Sequence, residues 1–321
     1  MKTTLKLITV TLVLLIMFMG CSKDIDDEEF SDFRNIIQEA PEIVEEDLIT
    51  NEFISPEGDI YYTGSFDCTS DGSFFYNPSN TLLNLHVPDS LPTFADLSPM
   101  LPPIGDQGRQ GSCVSWAVTY YLKSYQERLQ SPQGYDSTNI MSPAYTYNQL
   151  SLGVCEGTAI ESTLTILKEK GSATLNAFPY NENNCSIQPT ANQDSLAQIN
   201  KIGSYKYLSG YNMVTEMKTL INDSIPIIIS AFLTPEFGKK DDLGLTAYRD
   251  HSRDFRQKGC CHAMLVVGYS DNYNAFKVVN SWGEEWGNNG FVWIDYLAFA
   301  NVHSTSSSFK VISSAMIAYD L

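Results

Sequence analysis

Positive charge, histidine and long apolar runs are what this 321-residue chain has least of. Its 20 Lys and Arg face 38 Asp and Glu, for a formal net charge of −18. Phosphate binding needs clustered cations, so this balance argues against nucleic acid as the main partner. Four histidines and seven cysteines offer few ligands, which disfavours a multi-metal enzyme. The apolar run near the N-terminus, residues 7–20, is only 14 long, short of the ~20 residues a membrane-spanning helix needs. What remains is globular composition, 43% hydrophobic and 18% charged, long enough for one large or two modest domains.

The short apolar run suits a signal-peptide core, since Lys2 and Lys6 precede it and it ends at Gly20-Cys21. A small residue followed at once by cysteine resembles the bacterial lipobox, which implies that Cys21 is lipidated and becomes the mature N-terminus. Ordinary signal cleavage is the alternative. Residues 1–20 are therefore a signal peptide and residues 21–59 a tether. Residues 22–59 carry 14 acids and two bases, a net −12, and self-repulsion keeps such a stretch solvated. Ser22-Lys23-Asp24 with acids behind it resembles the tag that sends some lipoproteins of Gram-negative bacteria to the cell surface. The expected address is thus export to the outer membrane, held there by a lipid anchor. The rest of the chain, residues 60–321, carries only −8.

Residues 60–90, rich in Gly, Ser, Asn and Asp, form an N-terminal extension with a strand or two, or a short pro-segment. Residues 113–130 space Val114, Val118, Tyr121, Leu122, Tyr125 and Leu129 as a helix, ended by Ser131-Pro132 and Gly134. A second helix opens with a capping box at Thr158-Ala159-Ile160-Glu161 and stops at Gly171. Met213, Met217, Leu220 and Ile221 mark a third. Residues 225–232, 264–269, 275–279 and 291–294 read as strands between Asp, Asn and Gly turns. Helices first and strands later predict an α+β protein with two lobes, one helical and one rich in antiparallel strands.

Three segments concentrate chemistry. In Gly105-Asp106-Gln107-Gly108-Arg109-Gln110-Gly111-Ser112-Cys113 a cysteine opens a helix behind a glycine-rich turn. A helix N-terminus favours thiolate, although a buried structural cysteine fits equally well. His262 heads an apolar strand. Asn280-Ser281-Trp282-Gly283-Glu284-Glu285-Trp286-Gly287 places an amide at a strand end before two tryptophans.

Together and in this order the segments resemble the papain-like cysteine peptidases, over residues 91–321. The resemblance implies that Cys113 is the nucleophile, His262 its base, and Asn280 the group that orients the imidazole, with Trp282 shielding that bond. It implies that Gln107 offers its amide to the oxyanion, and that Gly157 and Thr158 form the wall that holds substrate extended. No metal or organic cofactor is implied, and the partners are polypeptide substrates cut by a monomer. Gln110 stands where the family has a cysteine, which releases Cys155 to pair with Cys185. Cys68, Cys260 and Cys261 leave three possibilities open: a bridge from Cys68 to one of the pair, free thiols, or a vicinal disulfide. His86, His251 and His303 join no motif. The rival reading is a non-catalytic surface protein that uses the same fold to bind peptides or host ligands.

Overall fold

The helix that opens with Cys113 forms where its periodicity predicts. Residues Cys113–Ser115, Trp116–Lys123 and Ser124–Gln130 run as one continuous helix whose middle section is π-helical. Every residue from Cys113 to Gln126 is buried, so this helix crosses the core instead of lying on its surface. Helices Pro143–Ser151 and Ile160–Glu169 pack beside it and complete a helical lobe. This computed structural model describes residues 49–68, 78–82, 85–208, 212–254, 257–300 and 309–321. The signal peptide, Cys21, most of the acidic tether and His303 lie outside the described residues.

The second lobe is built on one large, mainly antiparallel sheet. Its order is Ile202–Tyr207, Ile312–Asp320, Ile227–Leu233, Gly259–Ser270, Ala275–Val279, Phe291–Asp295, Thr246–Tyr248 and Lys239–Lys240. The central strand Gly259–Ser270 joins two hydrophobic cores through its alternation. Cys260, Met264 and Val266 enter the core of the sheet lobe, whereas Ala263, Leu265 and Val267 enter the core around the helix that opens with Cys113. His262 sits on the strand that both lobes share.

Two expectations need correction. The acidic composition predicts a tether as far as residue 59, yet Glu52–Ile54 and Ile60–Tyr62 pair as an antiparallel hairpin, and Phe53 is only 4% exposed. Phe53 joins the core of the sheet lobe, and Ile49 and Thr50 pair with Gly259 and Cys260, so the described fold begins by Ile49. The capping box at Thr158 does not form either. Ala159 is the N-cap of Ile160–Glu169, the Thr158 hydroxyl has no partner, and the Ile160 amide donates instead to the Asp67 carboxylate at 3.1 Å. Sequence patterning also passed over the helix Pro143–Ser151 and the paired strands Ile202–Tyr207 and Ile312–Asp320.

Candidate active site

Gln107 is fixed by its own backbone before its side chain does anything. Its amide donates to the Ser281 carbonyl at 2.9 Å, and the Ser281 hydroxyl donates to Gln107 Oε1 at 2.7 Å. That second bond identifies the oxygen and leaves Nε2 as the donor. Nε2 donates to the carbonyls of Gln110 at 2.8 Å and of Tyr62 at 3.0 Å.

On the strand side, His262 Nε2 lies 2.6 Å from Asn280 Oδ1, which also accepts from the Ser281 amide at 2.8 Å. The Trp282 ring stacks on the imidazole at 4.5 Å between centroids and shields that bond. Nδ1 of His262 has no hydrogen-bond partner and is the nitrogen left to serve a sulfur. The Cys113 sulfur accepts from the Ala263 amide at 3.4 Å, so the thiol meets the strand one residue past the histidine. Cys113, His262, Asn280, Gln107 and Trp282, predicted from three distant segments, therefore converge.

The site is sealed. Both Cys113 and His262 are 0% exposed, and the cover is the chain's own stretch from Tyr61 to Cys68. Tyr61 stacks on Trp282 at 4.6 Å, and the Tyr62 carbonyl accepts from both Gln107 Nε2 and Trp282 Nε1, each at 3.0 Å. Further along, Ser65 pairs in parallel with Thr158. The Thr158 amide donates to the Gly64 carbonyl at 2.8 Å, and the Phe66 amide to the Thr158 carbonyl at 3.0 Å. The approach requires glycine on both sides. A Cβ on Gly157 would lie 2.4 Å from the Gly64 oxygen, and one on Gly64 would lie 2.3 Å from the Gly111 oxygen. Gly157 and Thr158 thus form a wall that already holds an extended segment.

Beyond the wall the segment turns polar. Ser65 Oγ bonds the Asp67 carboxylate and Ser230 Oγ, both at 2.8 Å, and the Ser65 amide donates to the Cys261 carbonyl at 3.0 Å. Cys68 closes a disulfide with Cys261, the residue before His262, and Cys155 closes the second with Cys185. Cys260 remains a buried thiol packed into the sheet core. Of the three possibilities for these cysteines, the structure takes the first.

Burial under this cover sets the protonation states. It pushes the Cys113 thiol up to about 12, against weaker lowering by the amides of Ala263, Gly64 and Val114. It pulls His262 down to about 4, although the bond to Asn280 works the other way. A covered site therefore holds a neutral thiol and a neutral imidazole. Among the described residues, no group of His, Cys, Asp and Glu is arranged to hold a metal ion.

Patterning missed Tyr62, Gly64, Ser65, Asp67 and Ser230 as parts of this site. The signal was Cys68, a cysteine ahead of the peptidase-like region whose bridge to Cys260 or Cys261 is one of the three possibilities left open by the sequence.

The architecture is that of two-lobed papain-like proteins. Xylellain, a cysteine protease from Xylella fastidiosa, superposes with a TM-score of 0.64 at 19% identity, covering 81% of this chain and 96% of the other. A digestive procathepsin L 3 from the larval midgut of Tenebrio molitor gives 0.55 at 19% identity, covering 75% of each chain. The papain family cysteine protease model matches residues 91–309, and the chain belongs to that family. Among curated relatives, an uncharacterized peptidase C1-like protein of Acanthamoeba polyphaga mimivirus is 23% identical over 215 residues, 64% of this chain and 68% of the relative. Cathepsin J of Rattus norvegicus is 24% identical over 237 residues, but the match spans 67% of this chain and 63% of the rat protein.

Proposed function

We propose that this chain is an exported, membrane-anchored cysteine endopeptidase. The observation that carries the reading is the convergence of a helix-opening thiol, an amide-oriented imidazole and an amide donor, Gln107 Nε2, that already bonds the backbone of one extended segment. Once that segment is gone, Cys113 and His262 form a thiolate–imidazolium pair. The thiolate attacks a peptide carbonyl, and Gln107 Nε2 with the Cys113 amide donates to the developing oxyanion. His262 protonates the leaving amine, and water then resolves the thioester. Asn280 keeps Nδ1 directed at the sulfur, as the third member of a triad does. Thr158 binds substrate backbone by the bonds its amide and carbonyl now make to Gly64 and Phe66, and Gly157 leaves room for that close approach.

Two disulfides in a chain of this size support an oxidising compartment, in keeping with the signal and lipidation cysteine. The partners in this reading are polypeptides and the outer membrane, and the protein acts as a monomer. An epoxide-type probe and a peptide library, applied to protein with the covering segment removed, test the reading. Covalent capture of Cys113 together with internal cleavage of library peptides is expected. Absence of both would favour the non-catalytic binder.

A further inference from the structure

The covering segment is held twice, and the two attachments are chemically different. At its C-terminal end the peptide chain continues through residues 69–90 into the body. Independently, the Cys68–Cys261 disulfide joins it to the strand that carries His262, across 193 residues of sequence. Alternation along that strand turns Cys260 into the sheet core, while Cys261 packs with Cys68 and Phe232 beside the cleft. The bridge thus lies at the end of the segment past the Gly157–Thr158 wall, one residue from the base.

We propose that the Cys68–Cys261 disulfide is a lock that keeps the segment Tyr61–Cys68 in the cleft after the chain is cut, so that opening needs a thiol reductant as well as cleavage. The proposal rests on the peptidase reading for its purpose but not for its chemistry. A cut between Cys68 and Leu91 breaks one attachment and leaves the segment covalently bound at Cys261. The short-range contacts then hold it in place, because a tethered group faces its site at millimolar effective concentration. Reduction without a cut leaves the other attachment, with the same consequence.

The release step balances without a further oxidant. A thiolate from a low-molecular-weight thiol attacks one sulfur of the bridge, forming a mixed disulfide and freeing the other cysteine. A second thiol resolves it. Two thiols are oxidised to one disulfide, and Cys68 and Cys261 each gain a proton and an electron. Cys68, at 9% exposure against 2% for Cys261, is the more approachable sulfur. The buried Cys260 does not substitute for an external thiol, since burial pushes it up to about 12 and leaves little thiolate. This gate couples the enzyme to two conditions at once, a protease that cuts and an environment that reduces.

The test uses full-length protein carrying an inserted site-specific protease sequence after residue 70. The protein is purified without reductant, cut, and followed by intact mass, gel filtration and the rate of Cys113 capture by an epoxysuccinyl peptide. The expected result is that the N-terminal fragment stays attached until a dithiol is added. It then elutes separately, and capture accelerates at least about tenfold, as loss of the tethered segment's effective concentration predicts. The Cys68→Ser protein, cut in the same way, releases its fragment with no dithiol. A fragment lost from the oxidised parent on cutting alone overturns the lock, and so does one that stays bound after reduction. Fragment release with no Cys113 capture in any form leaves the lock standing and defeats the peptidase reading instead.

Discussion

On the helical wall of the cleft, the functional groups are held mainly by backbone groups, some adjacent and some distant in sequence. Gln107 is pinned by a turn and by Ser281, and Cys113 opens the helix it belongs to. On the strand wall, the groups hold one another. His262 depends on Asn280 for its orientation and on Trp282 for its cover, and those partners arrive from a different strand end and loop. The difference teaches that substitutions on the helical wall remove chemistry while leaving the geometry in place. Substitutions on the strand wall misplace a group that is still present.

The comparison breaks most sharply at the nucleophile. On protein freed of its covering segment, Cys113→Ala should reduce peptide cleavage to background while binding of extended peptides persists, read by direct titration. Cleavage at the parent rate would end the proposed mechanism. Next comes Gln107→Ala. Loss of one oxyanion donor costs ~2.7–4 kcal/mol in the transition state, so kcat should fall about 10²- to 10³-fold with KM little changed. Asn280→Ala should be milder, up to about 100-fold, because misplacing a reacting group costs less than deleting it. The stacked Trp282 ring still restrains the imidazole in that variant. A kcat loss for Asn280→Ala larger than that for Gln107→Ala would reverse the assignment of the two walls.

The smallest effect concerns pH, because the segment buries one titrating group of its own and covers another on the strand wall. Asp67 sits at the N-terminus of Ile160–Glu169, among Ser65, Ile160 and Glu161, and burial raises it to about 6. It therefore favours the closed form at low pH and withdraws that contribution as pH rises through 6. His262, lowered to about 4, does the reverse: it favours the closed form above its ordinary 6.5 and withdraws as pH falls towards 4. Between those limits the two oppose each other. In reduced protein, capture of Cys113 by Asp67→Asn relative to parent should rise about tenfold as pH falls from 6.5 to 4. A flat ratio would show that Asp67 does not balance His262.

The convergence of Cys113, His262, Asn280 and Gln107 was legible in the sequence because it is written in short strings. Gly-Ser-Cys, the histidine before an apolar strand and Asn-Ser-Trp-Gly each place their groups by local backbone geometry. The helix at residues 113–130 was legible for the same reason, and so was the Cys155–Cys185 pairing once Gln110 displaced the usual partner. What hid was non-local. Thr158 reads as a cap, yet its backbone is bridged to Ser65 and the first helical amide is capped by Asp67, 93 residues away. The hairpin of Glu52–Ile54 and Ile60–Tyr62 hid inside an acidic composition, since nothing in local pattern says that Phe53 finds Trp282. Strands Ile202–Tyr207 and Ile312–Asp320 stabilise each other across more than a hundred residues.

Trp282 gives the closed state an optical signature. Its indole stacks on Phe53, Tyr61 and His262, is 5% exposed, and donates from Nε1 to the Tyr62 carbonyl. Departure of the segment together with the hairpin it continues strips away two of those rings and the acceptor and opens the indole to water. Intrinsic emission should then shift to longer wavelength on the timescale of opening, with Trp116, Trp286 and Trp293 as a constant background. The ring that shields the histidine is thereby also a built-in clock for activation.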